Sequence, residues 1–332
     1  MENHTKDSTM NVSSLNCIDL SDDDLHNSVV SLKQACLDCG FFYVINHGIN
    51  DEFMDDVFEQ SKKFFALPLE EKMKVLRNEK HRGYTPVLDE LLDPENQVNG
   101  DHKEGYYIGI EVPKDDPHWD KPFYGPNPWP DADVLPGWRE TMEKYHREAL
   151  RISKAIARLL ALALDLDVDY FDRTEMLGKP IATMRFLRYQ GVSDPSNGIY
   201  ACGAHSDFGM MTLLATDSVT GLQICKDKKA TPQKWEYVPP IKGAFIVNLG
   251  DMLERWSNGF FKSTLHRVLG NGQERYSIPF FVEPNHDCLV ECLPTCKSES
   301  NLPKYPPIKC STYLTQRYKE THAELSIYHQ QT

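Results

Sequence analysis

Thr183-Met184-Arg185-Phe186-Leu187-Arg188-Tyr189 opens a stretch, ending near Val290, that reads as short strands separated by turns. Further alternating or apolar runs follow at residues 211–215, 222–224, 235–238, 244–248, 264–268, 276–282 and 288–290. About eight short strands with Gly-rich turns fit two sheets packed face to face, a jelly roll of the cupin kind. On each strand, residues two apart share a face. Arg185, Leu187 and Tyr189 therefore point one way, and Arg275, Ser277, Phe281 and Glu283 form a second such row.

The pattern is different on either side of this stretch. Residues 22–39 carry Val29, Val30, Leu32, Ala35, Cys36 and Cys39 at helical spacing, and 41–46 read as a short buried strand. Residues 51–65 are helical again, with Phe53, Val57 and Phe64 on one side. From 136 to 165, Met142, Tyr145, Ala149, Ile152, Ile156, Leu159, Leu160 and Ala163 recur at three and four, the mark of a long amphipathic helix. Residues 83–137 are rich in Pro, Gly, Asp and Asn and read as loops and short strands covering one end of a pocket. A last helix is expected over 311–324. The class is thus α+β, mainly β. A disordered tip (1–15) precedes a mixed region (16–177), the β core (178–292) and a C-terminal loop and helix (293–332), in one compact unit.

The net charge of −13 argues against nucleic acid or an anionic membrane surface as partner, because both reward clustered Lys and Arg. No apolar run approaches the roughly 20 residues that span a bilayer. The N-terminus has neither the apolar core of a secretory signal nor an Arg-rich transit pattern. A cytosolic monomer acting on a small molecule is expected, with a nuclear share left open. Nine cysteines, an odd number in a chain of this size, read as free thiols. Cys36 and Cys39 fall on the apolar spacing of a helix and should pack in the core. Pro294 argues against a regular helix that would gather Cys288, Cys292 and Cys296.

The chemistry is concentrated in three motifs. His205-Ser206-Asp207 places an imidazole and a carboxylate two apart, on one face if the strand is extended. His266, in Thr264-Leu265-His266-Arg267-Val268, would add a second imidazole from a distant strand. Two His and one carboxylate suit a non-haem Fe(II) centre with positions left open for substrate and oxygen. Arg275-Tyr276-Ser277 then offers a guanidinium and a hydroxyl on one face, a suitable clamp for a carboxylate. Any single piece arises by chance, whereas the ordered set is specific. His47 and the other histidines outside these motifs are read as structural or surface residues.

With these pieces the chain resembles the plant-type 2-oxoglutarate and Fe(II)-dependent dioxygenases, the group that includes isopenicillin N synthase. The resemblance runs from about residue 18 to 318. It is carried by Gly40-Phe41-Phe42-Tyr43-Val44-Ile45-Asn46-His47-Gly48-Ile49, Phe64-Phe65-Ala66-Leu67-Pro68, Arg82-Gly83-Tyr84 and Lys103-Glu104-Gly105 in the first half. In the second half it is carried by Gly221-Leu222-Gln223, Asn248-Leu249-Gly250-Asp251 and Ser257-Asn258-Gly259, besides the three motifs above. It implies a double-stranded β-helix flanked by helices, with iron on His205, Asp207 and His266. Arg275 and Ser277 would hold the distal carboxylate of 2-oxoglutarate, assisted by the Tyr189 hydroxyl. The implied reaction consumes O2, releases succinate and CO2, and oxidises substrate carbon, most commonly by hydroxylation. Leu187 and Gln190 depart from the family, which often has Asn and Pro there, so one hydrogen bond to the cosubstrate is expected to be missing.

For the substrate itself the sequence nominates Tyr84, Arg185, Phe281 and Glu283. Each has a bland alternative, as core for the aromatics and as structural ion pairs for the charged residues. An Arg185 facing the cavity needs an anion, supplied by Glu283 or by an acidic substrate. Two rival readings stay open at this stage. One is an Fe(II) oxidase that needs no 2-oxoglutarate, and the other a catalytically silent binding protein of the same fold.

Overall fold

A computed structural model describes residues 11–22 and 24–322. The first half runs β1 (Cys17–Asp19), α1 (Leu25–Asp38), β2 (Phe41–Ile45), α2 (Asp51–Phe65) and the short α3 (Leu69–Met73), then β3 (Gly83–Thr85), β4 (Lys103–Gly109) and α4 (Trp138–Ala163). Next come β5 (Ile181–Tyr189), β6 (Cys202–His205), β7 (Met211–Thr216), β8 (Leu222–Cys225), β9 (Glu236–Tyr237) and β10 (Phe245–Leu249). The chain continues with α5 (Asp251–Trp256), β11 (Leu265–Val268), β12 (Arg275–Glu283), β13 (Leu289–Val290), β14 (Ile308–Lys309) and α6 (Cys310–Thr321).

The helices start where side chains can replace the missing backbone partners of the first turn. Asp24 accepts from the Asn27 N–H at 3.1 Å, and Asn50 accepts from the Phe53 N–H at 2.8 Å. On α2, Asp51 and Glu52 sit in the first turn and Lys62 and Lys63 in the last, matching the sign of the helix dipole. Along α4, Met142, Tyr145, Ala149, Ile152, Ile156 and Leu160 are buried, as their spacing predicts.

Two sheets form the core, a large one ordered β1-β2-β10-β7-β12-β5-β4-β3 and a small one ordered β6-β11-β8-β9. Strand parity divides the residues of the large sheet between two apolar clusters. Met184, Phe186, Leu213, Val247, Ile278 and Phe280 pack with α4 and the other helices on one face. Leu187, Tyr189 and Ile246 point the other way and meet Leu222, Ile224 and Val268 of the small sheet. The inter-sheet face is where Arg185, Arg275 and Ser277 also point, so the cavity opens between the two sheets. Cys36 and Cys39 each lie in an apolar cluster, as expected of core thiols.

Several expectations need correction. Residues 288–290 do not join either large layer: β13 pairs only with β14, a separate two-stranded ribbon. The region read mainly as loops contains β4, fully buried and paired to both β3 and β5. Its Lys103 and Glu104 hid the strand, because their charges are neutralised inside the protein. β6 went unread because Cys202-Gly203-Ala204-His205 lacks the branched side chains that mark strands. Of the tip expected to be disordered, residues 1–10 lie outside the described residues. Val12 bridges to Tyr237, and the Ser13 N–H donates to the Tyr237 carbonyl at 2.8 Å. α6 ends at Thr321 with an extended His322, and 323–332 lie outside the described residues. Among the described residues no helix is long and apolar enough to cross a membrane.

Candidate active site

His205 and His266 face each other across the antiparallel β6–β11 pair, with ring centroids 4.2 Å apart. Asp207 lies just past the end of β6, not on it as the motif suggested, yet its Oδ1 comes within 3.6 Å of each His Nε2. One ligand atom from each of the three lies within 4.8 Å of the others.

Hydrogen bonds aim these atoms. His205 Nδ1 is 2.9 Å from the Gly203 carbonyl and His266 Nδ1 is 3.0 Å from the Thr264 carbonyl. A proton on each Nδ1 leaves both Nε2 lone pairs pointing at the shared space. Asp207 Oδ2 accepts from Thr212 Oγ1 at 2.5 Å and Asn248 Nδ2 at 2.7 Å, which leaves Oδ1 for a metal. Burial pushes the Asp207 carboxyl up, but His266, His205 and these two hydrogen bonds hold it below its ordinary value. Burial, with His205 alongside, pushes His266 down to about 4, so its imidazole is neutral at physiological pH. Two imidazoles and one carboxylate oxygen, all pre-aimed, fit Fe(II).

The sequence reading assigns no role to Thr212, and Asn248 enters it only as part of the stretch Asn248-Leu249-Gly250-Asp251. The available signal was a polar side chain inside an otherwise apolar strand, which requires a buried partner. They sit opposite each other on β7 and β10. The large sheet thus orients the carboxylate while the small sheet supplies the imidazoles.

Arg275, Ser277 and Tyr189 line the same cavity. Arg275 is opposite Tyr189 and Ser277 opposite Leu187 in the β12–β5 pairing. The Arg275 guanidinium stacks 4.9 Å over the Tyr189 ring, and Ser277 Oγ is 3.3 Å from the Tyr189 hydroxyl. Arg275 donates to the Val219 carbonyl and to Thr216 Oγ1, at 3.2 and 3.0 Å. Its Nη1 is buried with no hydrogen-bond partner. Among the described residues no carboxylate forms an ion pair with this guanidinium. A buried cation with a free prong beside two hydroxyls fits an incoming carboxylate. Of the two departures, Leu187 lines the cavity and Gln190 is exposed beyond the strand end.

Phe281, Glu283 and Arg185 also line the cavity, as parity predicts. Burial, and after it the Asp207 charge, pushes the Glu283 carboxyl up to about 8. Arg185 does not pair with Glu283, contrary to one of the two expected anions. Its Nη1 donates to Glu90 Oε2 at 2.6 Å, its Nη2 to Thr85 Oγ1 at 3.1 Å, and it stacks on Tyr107. Glu90 also meets Lys103 at 2.7 Å and His322 at 2.9 Å. Burial pushes Glu90 up, but Arg185, Lys103 and His322 hold it well below the ordinary carboxylate range. Tyr84 is the other correction. It pairs with Tyr106, which pairs with Phe186, and that row faces the helices rather than the cavity. Its hydroxyl donates to Glu104 at 2.6 Å. The cavity-facing pair on these strands is Tyr107 and Arg185.

Glu90 is therefore the keystone of this wall. Glu90→Ala is expected to cost about 3–5 kcal/mol of folding stability, the usual effect of removing one partner from a buried ion pair. Urea unfolding at neutral pH reads it, and a loss below about 1 kcal/mol would show that solvent reaches the network.

The chain is also similar to known proteins. Residues 15–132 match the family described as non-haem dioxygenase in morphine synthesis, N-terminal, and residues 180–284 match the 2OG-Fe(II) oxygenase superfamily. Kihadalactone A synthase from Citrus sinensis is 52% identical over 315 residues, covering 94% of both chains. Azadirone synthase from Melia azedarach is 48% identical over 316 residues, covering 95% of both. A full-length Neurospora crassa protein crystallised with alpha-KG (2-oxoglutarate) and thymine superposes with a TM-score of 0.79 at 32% identity, over 92% of this chain and 96% of the other. The chain belongs to the 2OG-Fe(II) oxygenase superfamily and is a 2-oxoglutarate- and Fe(II)-dependent dioxygenase.

Proposed function

We propose that His205, Asp207 and His266 hold the iron and that Arg275, Ser277 and Tyr189 receive the far carboxylate of 2-oxoglutarate. The observation that carries this reading is the free, buried Nη1 of Arg275 in the cavity that also holds the triad. When bound, iron and 2-oxoglutarate supply the oxidising chemistry, consuming O2 and releasing succinate and CO2. The protein's own part is orientation and exclusion of water. Thr212 and Asn248 fix the carboxylate ligand, the Gly203 and Thr264 carbonyls fix the imidazoles, and Tyr189 supports the guanidinium from below.

The substrate is a mostly apolar, uncharged organic molecule, and hydroxylation is its default fate. Phe41, Leu92, Phe208, Leu214 and Phe281 contribute apolar wall to the cavity. Arg185 already has Glu90 as its counter-ion, so among the described residues this wall offers no spare cation for a substrate acid. The two relatives named for making kihadalactone A and azadirone point toward specialised metabolites. Every proposed contact comes from one chain, so a monomer suffices.

The test is a screen of such metabolites for stimulated succinate release, read alongside product mass. Turnover should require both Fe(II) and 2-oxoglutarate, with succinate and oxidised product rising together. Substrate oxidation that persists without 2-oxoglutarate would assign Arg275 to the substrate's own carboxylate instead.

A further inference from the structure

Three acids among the described residues line the cavity, and two are fully engaged. Asp207 faces the histidines with one oxygen and Thr212 and Asn248 with the other. Glu90 is saturated by Arg185, Lys103 and His322. Glu283 is different. It is 6% exposed, yet its Oε2 has no hydrogen-bond partner among the described residues.

Packing holds this carboxyl in place. Glu283 ends β12 on the row of Arg275, Ser277 and Phe281, and it lies over the turn that follows Asp207. A Cβ on Gly209 would come within 2.9 Å of Glu283 Cγ and 3.1 Å of its Oε1, so only glycine there leaves the side chain room. Arg82 is the cation whose charge reaches Glu283, but the two form no ion pair, and Arg82 Nη2 is spent on the Phe123 carbonyl. A buried polar atom left without a partner is costly, and one that lines a ligand cavity can find that partner in the ligand.

We propose that Glu283 is a specificity-determining residue whose free Oε2 hydrogen-bonds a hydroxyl of the substrate. This deepens the function proposed above and rests on its reading of the iron and 2-oxoglutarate residues. The substrate class is then an alcohol on a largely apolar frame. A hydroxyl fits better than an amine, since an ammonium would lose its hydration among apolar walls with Arg82 competing for the same carboxyl.

The probes are mono- and polycyclic alcohols, each paired with its methyl ether and its matching amine, given to the full-length protein with Fe(II) and 2-oxoglutarate. Substrate-stimulated succinate release yields an alcohol-to-ether ratio of kcat/KM within each variant, so general losses of activity cancel. The wild type should favour alcohols at least about tenfold, mainly through KM. Glu283→Gln should keep most of that preference and Glu283→Leu should bring the ratio near unity. Glu283→Met, of similar length, replaces the leucine variant if that one does not fold. An unchanged ratio in the apolar variants overturns the proposal, as does a wild type with no alcohol preference. So does a preference for amines, which would make the partner a cation. A wild type that binds neither Fe(II) nor 2-oxoglutarate in a direct titration refutes the underlying iron and clamp reading, and this proposal falls with it.

Discussion

Asp207→Ala abolishes detectable substrate oxidation and weakens Fe(II) binding by more than the roughly 100-fold that loss of an outer partner costs. The expectation follows from the geometry. Asp207 Oδ1 lies within 3.6 Å of both Nε2 atoms, and no other acid among the described residues completes the group. Two smaller changes grade the effect. Asn248→Ala or Thr212→Val leaves the ligand in place but removes one of the two hydrogen bonds that turn it, and each should lower Fe(II) affinity about 10- to 100-fold. Chelator competition on the purified, folded variants measures all three. Near-normal turnover of Asp207→Ala with Fe(II) present would remove it from the metal site, and equal losses in all three folded variants would show that Asp207 contributes no more than its two hydrogen-bond partners.

Arg275→Lys is expected to raise the apparent KM for 2-oxoglutarate about 10- to 100-fold, the worth of one charge-assisted hydrogen bond. Lysine keeps the charge but not the planar fork. In this cavity the fork has separate duties: Nε and Nη2 are committed to Val219 and Thr216, and Nη1 alone is free. An ammonium has three donors, but all radiate from one nitrogen and cannot match acceptors spaced for three separate nitrogens. Fe(II) affinity should change little, because the clamp and the triad stand on different residues. Steady-state kinetics with varied 2-oxoglutarate decide the matter. A rise in the KM for the organic substrate with none for 2-oxoglutarate would give the guanidinium to the substrate.

Much of the site was legible in the chain because it depends on local geometry. Residues two apart on a strand share a face whatever lies around them, so Arg185, Leu187 and Tyr189 entered the cavity together, as did Arg275, Ser277, Phe281 and Glu283. The apolar spacing of α1, α2 and α4 likewise located three helices to within a few residues. His205 and His266 were recognisable by their motifs, although only the β6–β11 pairing shows them as direct cross-strand neighbours.

What the chain alone left open concerns partners drawn from distant segments. Arg185 shows the limit most clearly, since parity placed it in the cavity but its counter-ion, Glu90, sits 95 residues earlier in a loop with no periodic pattern. Tyr84 belongs to a short strand whose side is set by its register with β4, and register between separated strands is not encoded in either one. Thr212 and Asn248 met Asp207 through β7–β10 pairing, and Glu283 proved unpaired only once Arg82 was seen to be engaged elsewhere. The sequence by itself determined the fold class and which side chains share a face, and its motifs nominated three candidate metal ligands, because residue types and backbone periodicity are local properties. Tertiary structure alone decided which buried charges are already neutralised and which are left for a ligand, because that depends on pairings between distant parts of the chain.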